Sequence, residues 1–184
     1  MSAVSYDVAN SEPQSRLTTF FRMILVIPHA ILSGIWGWLA QVLGVLQWFI
    51  ILFTGKRNES MWKMQSDYLG YSARVLSYAA LLHGVFPPFG TDPGATGVSY
   101  AFEYEESANR LSNALRMIWS IPAFIISEVL LFAVFFVTVI AWFSILFTAK
   151  YPPGMHAFAV KAYRYYVRTN SYTMLMTDTY PKYE

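Results

Sequence analysis

Two apolar runs dominate the chain, and they have nearly the same length and the same flanks. Met23 to Gly55 and Met117 to Ala149 are each 33 residues without a lysine or arginine. Each is entered through Arg-x5-Arg, at Arg16/Arg22 and Arg110/Arg116, and each ends on Trp-Phe-x-Ile-Leu-Phe-Thr before a lysine. After each run the period becomes helical and amphipathic. From Ser60 to Leu82, apolar Met61, Met64, Tyr68, Val75, Tyr78 and Leu82 lie opposite Lys63, Asp67 and Arg74. In the second segment Met155, Phe158, Ala162, Tyr165, Tyr172 and Met176 form the stripe, opposite Lys161, Arg164 and Arg168. Each amphipathic segment closes on proline and aromatics, Phe86-Pro87-Pro88-Phe89 and Tyr180-Pro181-Lys182-Tyr183.

Sliding the chain against itself by 94 residues superposes these features without a gap. Arg22-Met23-Ile24 falls on Arg116-Met117-Ile118, Ile27-Pro28 on Ile121-Pro122, Lys56 on Lys150, Arg74 on Arg168, and Ser77-Tyr78 on Ser171-Tyr172. Shared apolar composition does not align arginine, proline, lysine and tyrosine in one register, so the chain is a tandem duplication. Its organisation reads as a polar N-terminal segment, 1–15, repeat 1 at 16–89, an acidic linker at 90–109 and repeat 2 at 110–184. The N-terminal segment has no basic stretch ahead of an apolar core, so no cleaved signal peptide is expected.

A bilayer crossing takes about 20 apolar residues. Thirty-three are too many for one upright span and few for two. One arrangement is a single long helix per copy, two transmembrane helices in all. The other is a hairpin per copy with its turn near Ser33-Gly34, four short transmembrane helices in all. The flanking charges favour the hairpins. With single crossings, equal positive charge would face both sides, against the positive-inside tendency. With hairpins, the termini and both amphipathic helices share the cytoplasmic face. The expected fold class is therefore all-α integral membrane, each hairpin followed by an interfacial amphipathic helix. That helix either lies in the headgroup plane or caps the end of the bundle.

Composition supports membrane residence. Of 184 residues 55% are hydrophobic, 18% aromatic and 13% charged, with mean hydropathy +0.37, against about 25% charge in soluble domains. The net charge of +2 and the scattered basic residues speak against nucleic-acid binding. There is no cysteine. No phosphate-binding loop, nucleophile elbow or zinc-protease motif occurs, so no enzyme, cofactor or metal is expected.

Candidate site residues are few. Arg22 and Arg116 read as snorkelling anchors or as lipid-phosphate ligands. Arg74 and Arg168, each with a tyrosine four residues on (Tyr78 and Tyr172), read as headgroup or partner contacts. His29 and Glu128 are polar groups within the apolar runs, which by default are functional hypotheses. Glu128 aligns with Gly34, so a site built on it would be asymmetric.

The residues Arg16, Arg22, Ile27-Pro28-His29, Trp48 to Lys56, Arg74, Tyr78, Leu81-Leu82 and Pro87-Pro88-Phe89 resemble the bacterial membrane family DUF4389. The second copy resembles it through Arg110, Arg116, Ile121-Pro122, Trp142 to Lys150, Arg168, Tyr172 and Tyr180-Pro181. It has Ala123 for the histidine and Ala149 for the glycine. The resemblance implies a multi-pass protein of the bacterial inner membrane and carries over no activity. The expected role is a non-enzymatic accessory or scaffold subunit of a membrane complex or homo-oligomer. The alternatives are a membrane-shaping or lipid-organising protein that contacts anionic headgroups, and a small channel or transporter component.

Overall fold

The computed structural model describes residues 4–183 apart from residue 11; the rest of the expected N-terminal segment and the final residue of repeat 2 lie outside the described residues. The chain forms β1 (Ser5–Val8), α1 (Arg16–Thr54), α2 (Glu59–Ala79), β2 (Val98–Ala101), α3 (Arg110–Ala114), α4 (Arg116–Thr148) and α5 (Pro153–Thr173). It is mostly helical, with two helices, α1 and α4, long and apolar enough to cross a membrane.

The hairpins expected at Ser33-Gly34 do not form. α1 runs unbroken for 39 residues and α4 for 33. The reason lies on the inner face of α1. Thr19, Arg22, His29, Gly37, Ala40, Gly44, Gln47 and Ile51 are all buried and recur at intervals of three, four, seven or eight residues, one continuous helical stripe. A turn at Gly34 would break that stripe. Ser15 caps the start of α1 by accepting from the Thr18 amide, and Gly55 ends it in the left-handed conformation at φ 73°. Ala149 ends α4 in the same conformation at φ 59°.

The amphipathic segments are helices, as their period predicts, but they are not laid against the bundle by one face only. α2 runs antiparallel along α1. Asn58 meets Gln47 at one end, and Tyr78 meets Arg22 at the other. The close approach needs small residues: a Cβ on Gly37 would stand 2.6 Å from the Tyr68 hydroxyl oxygen. α5 repeats this on α4, and α2 packs on α5. Above α2 and α5 lies an unexpected antiparallel ribbon, Ser5 to Val8 against Ala101 to Val98. Tyr6 and Val8 of β1 sink into the core beside Val160 and Val167 of α5. The basic face of α5 is thereby engaged: Arg164 Nε donates to the Tyr6 carbonyl at 2.8 Å. The acidic linker supplies β2 and the Lys56–Glu106 ion pair.

The order is therefore ribbon, then α2/α5, then α1/α4. The outer face of the α1/α4 layer carries most of the exposed apolar side chains, from Leu17 through Ile24, Ile31, Ile35 and Trp38 to Phe53, and from Met117 through Ile118, Ile125, Phe132 and Phe136 to Phe147.

The duplication is expressed as an internal two-fold axis. Trp48 Nε1 donates to the Asn113 carbonyl at 3.0 Å, and its counterpart Trp142 donates to the Thr19 carbonyl at 3.1 Å. The Gln14 amide donates to the Ala149 carbonyl, and the Ala108 amide to the Gly55 carbonyl. Trp62 bonds the Met176 carbonyl, while His156, at the same place in copy two, bonds Leu82.

Candidate functional site

Each copy ends its amphipathic helix in a tight turn, with Leu81 and Leu175 both left-handed at φ 65°. Carbonyls at such a helix end have no partner within the helix. In each copy an arginine from the long helix satisfies them. Arg22 Nη1 donates to the carbonyls of Tyr78, at 3.1 Å, and His83, at 2.6 Å. Arg116 Nη1 donates to the Thr177 carbonyl at 2.9 Å. Each guanidinium also stacks on a tyrosine, Arg22 on Tyr78 at 4.2 Å and Arg116 on Tyr172 at 3.9 Å. Both arginines are buried, at 1% and 2% exposure, so neither snorkels to a surface. The burial that closes these sockets raises the pKa of both tyrosines, opposed by the adjacent arginine.

The two sockets differ in charge. In copy two Asp178 lies 2.6 Å from Arg116 Nη2 and 2.8 Å from Arg57 Nη2, and its second oxygen accepts from the Asn109 amide at 2.9 Å. One carboxylate thus serves two buried guanidinia. In copy one Gly84 stands where copy two has Asp178, and Tyr151 stands where copy one has Arg57. Here Arg22 Nε and Nη2 have no hydrogen-bond partner, nor does Gln14 Oε1, all buried. His83, in the same turn, is pushed down to about 4 by burial, so it is neutral and offers no charge of its own at pH 7.

Tyr78 and Tyr172, expected as headgroup or partner contacts together with Arg74 and Arg168, instead stack on Arg22 and Arg116. Arg74 is buried instead, donating to the Gly90 carbonyl at 2.7 Å, and its pKa is lowered by that burial. Arg168 donates to the carbonyls of Lys182 and Val4. Both tie loops or strands to the helix layer.

His29 is buried with Nδ1 2.7 Å from the Tyr71 hydroxyl and its ring stacked on Phe89 at 4.2 Å. That is a packed aromatic cluster. Among the described residues no group of three metal-ligating side chains occurs. Glu128 is not at a turn; it is exposed on the flank of α4, beside Val129 and Phe132.

Asp178, Arg57 and Tyr151 did not stand out as single residues. Their signal is the departure from the repeat, where Gly84 opposes Asp178 and Arg57 opposes Tyr151.

Beside the copy-one socket a cavity of about 330 Å³ opens between the first turns of α1 and the last turns of α4. Its walls are Phe20, Met23, Phe135, Val139 and Trp142, and Arg22 lines it.

The model of a family described as "Domain of unknown function (DUF4389)" matches residues 16–90 and again residues 110–183. No curated protein and no solved structure matches the chain significantly.

Proposed function

The chain belongs to the DUF4389 family, with the domain present twice, and from that two-fold architecture we propose a non-enzymatic membrane-organising protein whose long helices lie within one leaflet. The observation that carries this reading is the long, mostly apolar outer face of α1 and α4.

Its length argues against upright crossings. From Leu17 to Phe53 the exposed side chains extend about 54 Å at 1.5 Å per residue. The hydrocarbon core is about 30 Å thick. Matching the two would take a tilt near 55°, outside the usual range of roughly 0–40°. The second layer argues the same way. α2 follows α1 from Gln47 back to Arg22, so an upright α1 would carry Lys63 and the ribbon with Asp7 into hydrocarbon, at several kcal/mol per group.

Lying flat, the same face meets acyl chains along its whole length, as interfacial helices do. Side by side at roughly 10 Å spacing, the two helices present on the order of 1,000 Å² to one leaflet. Arg16 and Lys150 flank it at one end, Lys56 and Arg110 at the other, and all four are exposed. They suit an anionic headgroup layer, which supports a cytoplasmic position for the ribbon at an inner membrane. Volume inserted into one leaflet only is a wedge.

Lipid accounts for the face, because it is apolar over most of its area, with Gln41 and Glu128 among its exposed polar positions, and is flanked by cations at both ends. Reconstitution into liposomes containing anionic lipid tests the reading. The protein should float with the vesicles and tubulate or shrink them in proportion to loading. Vesicles of unchanged size and shape at high loading would remove the proposal.

A further inference from the structure

The two arginine sockets stand at equivalent places in the repeat, yet among the described residues only one contains its own anion. In the second, the Asp178 carboxylate lies against Arg116. In the first, Arg22 keeps the two carbonyl bonds and the tyrosine stack, is 1% exposed, and has Nε and Nη2 unpartnered. A buried guanidinium without a counter-anion is costly, and the ordinary remedy is a charge-assisted pair to an oxyanion. Gly84 leaves room for one: the nearest atom to a Cβ built there is Gln14 Cγ, at 3.9 Å.

The adjoining cavity says what the oxyanion is attached to. Its walls are almost wholly apolar, and its volume of about 330 Å³ falls in the range of roughly 300–1,000 Å³ typical of small-ligand sites. Phe20, Met23, Phe135 and Val139 carry its mouth onto the exposed apolar face. We propose that the copy-one socket binds an anionic amphiphile, with its carboxylate or phosphate on Arg22 and its acyl chain between α1 and α4. The headgroup takes the place that Asp178 holds in copy two, so the duplicated domain has one structural socket and one ligand socket. The membrane reading supplies only the route of entry; the site itself can be tested in micelles, apart from vesicle shape.

The probe is 9,10-dibromostearate, whose bromines quench tryptophan, with Trp142 in the cavity wall as reporter. Dibromostearate should quench saturably in neutral-detergent micelles, above the non-saturable quenching of the exposed Trp38 and Trp119, and Trp142→Phe should remove most of the saturable part. The matching brominated fatty alcohol should bind at least tenfold more weakly, and acetate should not compete. Brominated phosphatidate is the second arm. Tighter binding of the fatty acid names a free carboxylate as the occupant, tighter binding of phosphatidate names a phospholipid, and either supports the socket. Gly84→Asp is the decisive variant, because it supplies Arg22 with an internal carboxylate and should fold at least as well. It should weaken binding tenfold or more, whereas Asp178→Asn should leave binding intact wherever the protein remains folded. Equal affinity for acid and alcohol, or unchanged binding in Gly84→Asp, would overturn the proposal.

Discussion

Replacing Asp178 by asparagine isolates the charge that holds the second socket together. The amide is nearly isosteric and its oxygen can still accept from the Asn109 amide, now at 2.9 Å from the carboxylate. What disappears is the negative charge facing Arg116 at 2.6 Å and Arg57 at 2.8 Å, whose side chains are 3% and 0% exposed. Removing one partner of a buried pair costs about 3–5 kcal/mol, because the remaining charge stays buried. Asp178 is itself 29% exposed, so water can enter the gap and the lower end, about 3 kcal/mol, is expected. For a chain of this size 1 kcal/mol moves the midpoint by about 2–4 °C, so the transition should fall by roughly 6–12 °C. Thermal unfolding in micelles, followed by near-ultraviolet circular dichroism, measures it. Glu106→Gln is the control: it breaks the exposed Lys56 pair and should leave the midpoint where it was. A shift for Asp178→Asn no larger than the control would refute the claim that one carboxylate serves both arginines.

Further outcomes follow from the same geometry. Gly84→Asp should raise the unfolding midpoint, by about 1.5 kcal/mol for a new hydrogen-bonded ion pair to Arg22. His83, held near 4 against an ordinary value of 6.5, binds fewer protons folded than unfolded. Its contribution is complete above pH 6.5 and is lost as the pH falls toward 4, by about 3 kcal/mol; His83→Gln should flatten that part of the denaturant–pH profile. Gly37→Leu should force α1 away from Tyr68, whose hydroxyl oxygen would lie 2.6 Å from the new Cβ, at about 1–3 kcal/mol. Gly34→Leu, with nothing within 4 Å, should leave stability equal or improved, as seen in the same melts.

Much of the architecture is legible in the residues. The 94-residue register shows the duplication, and the structure realises it as paired hydrogen bonds across a two-fold axis. The periods of the amphipathic segments correctly mark α2 and α5. The continuity of α1 is also written, in the spacing of Thr19, Arg22, His29, Gly37, Ala40, Gly44 and Gln47 along one face. It is masked because the opposite face is so apolar that the run invites division into membrane-length pieces. Charge counting then favours hairpins, since that argument assumes that each apolar run crosses the bilayer. The ribbon leaves almost no trace: β1 is four residues in a polar segment and gains its partner 90 residues later. The sockets are only partly legible. Arg22 and Arg116 stand out as charges at the edge of apolar runs, but their carbonyl partners belong to turns whose left-handed leucines no local motif announces. Asp178 becomes visible only against Gly84.

The claim on which the account turns is that α1 and α4 lie along the membrane. Because the chain has no cysteine, single spin labels at positions 17, 35 and 53, all on the exposed face of α1, give depth directly by power saturation with oxygen and a water-soluble nickel chelate. In bilayers the three should report one shallow depth within the same leaflet, with position 92 in water. Position 35 near the bilayer centre, with positions 17 and 53 at opposite surfaces, would contradict it.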